Sequence, residues 1–377
     1  MEWLEPYIGD AGSMPPEVKL AAVFIVVSLA LTLIAYLSIV RGRYRHQLRE
    51  RRQRRLHPLI DGLIIEHIVS NGDLEQYMAT QHTAVAAHFR QPELRPRWAR
   101  QLLIDRIVEF RNNIRGKVGN ALRTLYLDLE LDRDTQRKLR ARSWSKKIQG
   151  LHEFMHMDVS IADVALLPLT TSSNRELRSA ARHAYIKLSR NDPFKFFDLI
   201  TDDLSEWDQI ELFRIITTTE GLVIPSFAQW IAYSPNRSVV LFCLRLVVHF
   251  NQTGAIPTII KLLQTPDHHL RTAAITTLGK LEVNAVETDL VQMYENQPLN
   301  CRVAILKALG RLKARGQVEF VKNEFLYAGD FEVRKNAART LVNMFLYDSP
   351  LIQNLLATTS EEHQKLLKHS MNPLIKR

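Results

Sequence analysis

The amino-acid sequence predicts an all-α protein with one N-terminal transmembrane helix followed by an α-α superhelical solenoid. Three observations support this fold class: an uncharged apolar run near the N-terminus, apolar residues at helical spacing beyond it, and a helical segment that recurs along the chain. The chain has 377 residues, of which 46% are hydrophobic and 24% charged, a composition typical of folded protein. The chain contains only 14 glycines and 15 prolines, which favours helices over a fold with many β-hairpins.

The first element is a predicted transmembrane helix at 20–40. This run contains 21 residues without a charge, and at about 1.5 Å per residue it spans roughly the apolar core of a bilayer. The segment 1–19 before it is acidic, whereas a cleaved signal peptide begins with basic residues. We therefore expect a retained, single-pass anchor with a short extracytoplasmic N-terminus.

A basic juxtamembrane segment follows at 41–57. The positive-inside rule places such a segment in the cytoplasm, so the rest of the chain is expected on the cytoplasmic side of an inner membrane. Attraction to anionic lipid headgroups is the expected role of these charges. The arginines of this segment are Arg41, Arg43, Arg45, Arg49, Arg51, Arg52, Arg54 and Arg55.

The positive charge of the chain is concentrated beside the membrane. The whole chain carries a net charge of +10, and residues 41–147 alone carry +12. Nucleic-acid binding would require aromatic side chains among the basic ones for base stacking, and these segments offer only Tyr44, Trp98 and Trp144. No nucleic-acid partner is therefore expected.

Five helical segments share one residue pattern, and each has an arginine near its start. Small or branched residues follow the arginine after two to four positions, and apolar residues follow at seven and ten, which marks one helix face. The intervals between the arginines are 59, 34, 31 and 32 residues, and the first gap has room for one more unit near Asp208. Shorter apolar helices, such as 256–264, precede the segments, so each unit is a helical hairpin. The register arginines are Arg178, Arg237, Arg271, Arg302 and Arg334.

These units resemble HEAT repeats, most clearly in LRTAAITTLGKLE and CRVAILKALGRLKARG within 270–312. The resemblance implies stacked helical hairpins with a continuous core and an extended surface for partners. It assigns the repeats to 144–345, a helical N-terminal cap with a degenerate repeat to 58–143, and one C-terminal capping helix to 346–377. The register arginines are expected to bind neighbouring helix ends or loop carboxylates within the stack.

An HExxH motif, His152-Glu153-Phe154-Met155-His156, suggests a different function. This spacing presents two imidazoles from one helix face to zinc, with the glutamate as the base of a metallopeptidase. A membrane-bound zinc metallopeptidase using His152, Glu153 and His156 is therefore the alternative prediction.

The repeat register favours a structural interpretation of the same helix. With Lys147 at the arginine position, His152 and His156 fall at positions that polar residues occupy in other repeats, so both should face solvent. Leu151, Phe154 and Met157 take the core positions instead. We also expect Glu153 to be exposed, so that its substitution by glutamine is tolerated.

Other catalytic and cofactor motifs are missing from the sequence. There is no GxxxxGK[ST], GxGxxG or GxSxG motif, so no nucleotide cradle or nucleophile elbow is present. Cys243 and Cys301 lie in apolar stretches where a small buried residue fits. We expect no catalytic residues, no metal and no cofactor.

The expected function is that of a non-catalytic, membrane-tethered scaffold or regulatory subunit. Its partner is expected to be a membrane-bound protein complex. The general form resembles accessory components of the bacterial envelope, which points to a membrane glycosyltransferase or polysaccharide synthase as the partner.

Overall fold

The computed structural model is all-helical over the residues that it describes, with no β-strand among them. Residues 1–15, most of the predicted extracytoplasmic segment, lie outside the described part. The chain divides into two compact units, the first formed by Met1–Lys138 with His156–Val159 and the second by Leu139–Met155 with Ser160–Arg377. The described ranges are 16–70, 82–114, 116–345, 349–372 and 374.

The first unit begins with a continuous helix, α1, over Pro16–Ile64, which a π-helical turn at Ile65–Val69 extends. Its segment Val23–Tyr44 is apolar and long enough to cross a membrane, and none of that segment is buried. The predicted boundary between an anchor at 20–40 and a separate segment at 41–57 is therefore not a helix end. The arginine-rich sequence continues the helix because arginine is a good helix former.

The C-terminal part of α1 packs into the core of the first unit. Leu56, Ile60 and Ile64 recur every four residues, so they form one apolar stripe, and all three are buried. Arg106 anchors this stripe, since its guanidinium binds both carboxylate oxygens of Asp61 at 2.8 and 2.7 Å. The remaining helices of this unit are α2 His82–His88, α3 Arg97–Asn113, α4 Lys117–Asp128 and α5 Leu131–Leu139.

The second unit contains most of α6 followed by seven helical hairpins, each with a short first helix or 3-10 turn and a longer second helix. The first segments are α7 Asp163–Leu166, the 3-10 turn Lys195–Leu199, α10 Ala228–Tyr233, α12 Ile256–Lys261, α14 Glu287–Met293, α16 Val318–Tyr327 and α18 Pro350–Thr358. The second helices are α6 Trp144–Met157, α8 Arg175–Leu188, α9 Glu206–Thr218, α11 Arg237–His249, α13 His268–Lys280, α15 Leu299–Leu312, α17 Phe331–Met344 and α19 Glu361–Met371.

The second helices begin at almost constant spacing. The residue before each one, called the cap here, recurs every 31 residues from Asn174 to Pro298 and then after 32 and 30. Most of these caps are Asn, Asp or Ser, whose side chains accept the free N–H groups of the first helical turn. Asp267, for example, accepts from the backbone of His269 at 2.8 Å. The caps are Ser143, Asn174, Ser205, Asn236, Asp267, Pro298, Asp330 and Ser360.

The second helices from α11 to α19 pack directly on one another, and two glycines allow the closest approach. A Cβ atom on Gly279 would lie 2.8 Å from the Cα and Cβ of Ala308, on the next second helix. A Cβ atom on Gly310 of α15 would lie 3.3 Å from the Cα of Thr340 on α17. Both glycines lie twelve residues after their caps, so the same contact recurs in two neighbouring repeats.

Two sequence predictions need correction. Arg237 lies one residue after its cap, whereas the other four register arginines lie four residues after theirs. The equivalent residue of α11 is Val240. The region 346–377 forms two helices, α18 and α19, instead of one capping helix, because the chain is extended at Thr359 and Ser360 caps a new helix. The sequence predicts that Pro350 and Pro373 bracket a single helix; Pro350 begins α18, and Pro373 lies outside the described residues.

Candidate functional site

The arginines four residues after a cap connect each hairpin to the next. Arg178, Arg271 and Arg334 each donate to the carbonyl oxygen six residues earlier, at 2.7, 2.7 and 2.9 Å. The same guanidinium groups then reach the following repeat, where Arg178 binds Asp202 at 3.0 Å and Arg334 binds Glu362 at 2.8 Å. Arg271 donates to Gln297 there. These contacts give the arginines a structural role in the stack.

Arg302 makes the equivalent connection through an aromatic ring. Its guanidinium lies 4.7 Å from the centre of the Tyr294 ring and donates to Glu324 at 3.0 Å. The Tyr294 hydroxyl donates to the same carboxylate at 2.7 Å. Burial alone would lower the pKa of Arg302, but Tyr294 and Glu324 raise it. The guanidinium therefore stays charged within the stack.

Arg237 connects repeats differently, in keeping with its different position. Its guanidinium lies 3.2 Å from Asp267, the cap of the next second helix. Burial would raise the pKa of Asp267, but backbone N–H groups of His269 and Leu270 and the charge of Arg237 together lower it. The cap is thus held in its charged form.

The HExxH motif lies on α6, and its side chains have different surroundings. His152 and His156 are exposed, while Leu151, Phe154 and Met157 are buried, as the register predicts. Glu153 is only 5% exposed, so the expectation that it is an exposed position is wrong. It lies ten residues after its cap, the position at which Ala308 and Thr340 pack against the preceding second helix.

The part of the chain that the structure describes holds no grouped metal ligands. Within this part no group of three or more His, Cys, Asp or Glu side chains is placed to hold a metal ion. A catalytic zinc site takes three protein ligands, and the motif supplies two histidines. Cys243 and Cys301 are buried, and burial raises the pKa of the Cys243 thiol.

Alignment by the caps extends the pattern of polar positions to α11, which counting from Arg237 misaligns. Nine residues after the cap, seven of the eight second helices carry His, Arg or Lys. Thirteen residues after the cap, every side chain from α8 to α17 is exposed and none is acidic. The residues at position nine are His152, His183, Arg214, Arg245, Thr276, Lys307, Arg339 and His369, and those at position thirteen from α8 to α17 are Lys187, Thr218, His249, Lys280, Arg311 and Asn343.

This pattern forms a line of positive charge across α11, α13, α15 and α17, which we call the basic column. Burial and the charges of Arg339 and Arg311 lower the pKa of Lys307, although Glu332 partly offsets this, and burial and the charge of Arg339 lower the pKa of Arg311. The charges of Lys307, Arg311 and Arg339 therefore repel one another. The basic column consists of Arg245, His249, Lys280, Lys307, Arg311 and Arg339.

An apolar cavity opens at the N-terminal end of the basic column, between α9, α11 and α13. Its volume is about 610 Å³, and Phe213, Leu241, Leu244 and Val248 form its apolar wall. The rim is polar because Arg245, His249 and Lys280 surround it. Arg245 is held across the cavity by Gln209, whose side-chain oxygen accepts from it at 3.0 Å.

The cavity lies where the second helices α9, α11 and α13 pack loosely. Position twelve of α13 and α15 is glycine, but position twelve of α11 is Val248. The α11 and α13 helices pack less closely than α13 and α15, and α9 and α11 pack less closely still. Glycine at position twelve is confined to α13 and α15, so the sequence marks where the helices approach most closely but not where the cavity opens.

Comparison with known proteins agrees with this architecture. Residues 224–299 match the family of HEAT repeats, and this segment contains α11, α13 and the cavity wall that they form. No curated protein matches the chain. The chain therefore contains a HEAT-repeat domain within an all-helical fold, preceded by one long, unburied apolar helix.

Proposed function

We propose that the protein is a non-catalytic, membrane-tethered scaffold or regulatory subunit whose HEAT repeats bind a partner protein. The observation that carries this proposal is the continuity of α1. A single helix runs from the apolar segment Val23–Tyr44 to Leu56, Ile60 and Ile64 in the core of the first unit. A folded unit thus lies within one helix length of the predicted membrane segment.

A retained anchor accounts for α1 better than a cleaved signal sequence. Cleavage after the apolar segment would cut inside a continuous helix whose later residues belong to the core. Arg41, Arg43 and Arg51 extend from the same helix into solvent, and each basic residue near an anionic surface contributes about 1 kcal/mol of attraction. The structure does not describe the side chains of Arg45, Arg49 and Arg52. This charge favours a cytoplasmic location for the repeats, on an inner membrane that the chain crosses once.

The proposed partner is a membrane-bound protein complex. HEAT repeats offer an extended surface to proteins, and tethering raises the local concentration of that surface for other membrane proteins. A membrane glycosyltransferase or polysaccharide synthase of the bacterial envelope is the partner class that we propose to test first.

The test is purification of the tagged full-length chain from its native membranes in mild detergent. Mass spectrometry should identify a stoichiometric membrane protein that stays bound through gel filtration. The proposal is wrong if the chain elutes alone and carries about one zinc ion, the stoichiometry of a catalytic site.

The same preparation distinguishes the metallopeptidase alternative. A peptidase would lose its activity in Glu153→Gln and its zinc in His152→Gln/His156→Gln. A scaffold would retain its partner in both variants. Because Glu153 is buried, the folding of the Glu153→Gln variant must be checked by circular dichroism before its activity is compared.

A further inference from the structure

The basic column and the cavity at its end lie on the same set of second helices. Arg245, His249 and Lys280 belong to both, since they are column residues and also line the cavity. Positive charge and apolar surface are therefore combined in one site. Sites that contact a peptide through its side chains have this combination, with pockets for apolar side chains and charges that fix orientation.

Two cations of the column, Lys307 and Arg311, are exposed at the surface of α15. The stacking arginines bind carboxylates or carbonyls, whereas Lys307 and Arg311 are exposed and lie close enough to Arg339 to be repelled by it. Bringing like charges together costs free energy, and a negatively charged ligand would remove that cost. The column is thus complementary to an anionic partner.

The dimensions of the column favour a peptide over a nucleic acid. Helices pack at about 8–10 Å, so α11 to α17 span about 30 Å, the length of about nine residues of extended chain. DNA carries one charge per about 1.7 Å of its axis, far denser than a column with one or two cations per helix. The cavity wall also consists mainly of aliphatic side chains, whereas binding of single strands depends on aromatic stacking.

We propose that the basic column binds an acidic segment of the partner protein, which runs across α11 to α17 and inserts one large apolar side chain into the cavity between α9, α11 and α13. This proposal rests on the proposed function, because it specifies the chemistry of the scaffold's partner. The carboxylates of the segment lie against Arg245, Lys280, Lys307 and Arg311.

The first experiment uses a fluorescein-labelled, extended peptide of about nine residues, a length that matches the column. This glutamate–leucine peptide carries one leucine and four glutamates at alternate positions, so that all five side chains lie on the same face, and the glutamate–serine peptide has serine in place of the leucine. Its binding to the detergent-solubilised full-length chain is measured by fluorescence anisotropy. Lys307→Gln/Arg311→Gln should weaken binding about tenfold, since two charge contacts are lost. The matched control, Arg190→Gln/Lys261→Gln, makes the same charge change at exposed positions outside the column and should leave the affinity unchanged.

The cavity is tested separately. Ala273, which lines the cavity, is half-buried, so Ala273→Leu extends into open space. This variant should weaken the glutamate–leucine peptide several-fold and leave a glutamate–serine peptide unaffected. Equal affinity of the wild type and the column variant would refute the proposal, as would tighter, column-dependent binding of oligo-dT of the same length.

Co-purification from native membranes separates this proposal from the proposed function. Retention of the partner by the wild type and the control, with loss from the column variant, supports both. If all three chains retain the partner, the column is not its binding site, although the scaffold function stands. If none retains a partner, the scaffold function itself fails.

Discussion

Substituting Gly279 with alanine tests the close contact between second helices. In an open helix this change stabilises by about 1 kcal/mol, because alanine is the better helix former. Here the new Cβ would lie 2.8 Å from both the Cα and the Cβ of Ala308, and a backbone atom cannot move away as a flexible side chain could. Overpacking of this kind costs about 1–3 kcal/mol. After the gain in helix propensity is subtracted, Gly279→Ala should lower the free energy of unfolding by up to about 2 kcal/mol.

The assay is urea unfolding of the detergent-solubilised full chain, followed by far-ultraviolet circular dichroism. Gly62→Ala is the matched control, since Gly62 lies in α1 with no atom near its Cβ position, and it should be neutral or stabilising. Ala308→Gly in the Gly279→Ala background should restore only part of the loss, because the contact with the Ala308 Cα remains. A stabilising effect of Gly279→Ala would refute the packing of α13 on α15.

Three further predictions concern the core, a cap and a stacking arginine. Ile60→Ala should destabilise the first unit by about 2–5 kcal/mol in thermal unfolding, because Ile60 is fully buried; an unchanged Tm would show that α1 does not enter the core. Asp267→Ala should cost about 1 kcal/mol at neutral pH by removing the cap. Since the folded pKa of Asp267 is lowered, its contribution is present at neutral pH and lost as the pH falls below about 4, and a pH titration of stability should show a smaller acid loss in the variant. Arg302→Met should cost about 1–3 kcal/mol in urea unfolding because it leaves Glu324 without its cation; equal stability would contradict the stacking role.

The sequence predicted the fold class because helical periodicity and the apolar run are local signals. The HEAT-like hairpins, the helix over the apolar run and the burial of Leu151, Phe154 and Met157 all follow from spacing. The continuity of α1 was not predicted, because composition changes sharply at Arg41 while helix propensity does not. The change in charge at Arg41 therefore does not mark the end of a helix.

Counting from the arginines predicts polar side chains at the column positions but misaligns α11, so the line of charge through Arg245 and His249 is not visible in that register. Arg237 lies three residues before the equivalent position, which shifted α11 relative to its neighbours. The caps give the correct alignment, because a cap side chain must bind the first turn whatever the rest of the helix contains. Arg245 and His249 then align with Lys307 and Arg311. The burial of Glu153 was missed for a related reason, since contacts between second helices depend on their packing in three dimensions.

The most direct test of the account is photo-cross-linking in native membranes from a single position on the second helices. Thr276 is suitable because it lies nine residues after its cap, as Arg245 and Lys307 do, and because it lines the cavity and carries no charge. With a photoreactive amino acid at this position, the account predicts one discrete adduct with a partner protein, and none from the same amino acid at Lys261 on the first helix α12. Adducts from Lys261 alone, or equally from both positions, would contradict the conclusion that the second helices bind the partner.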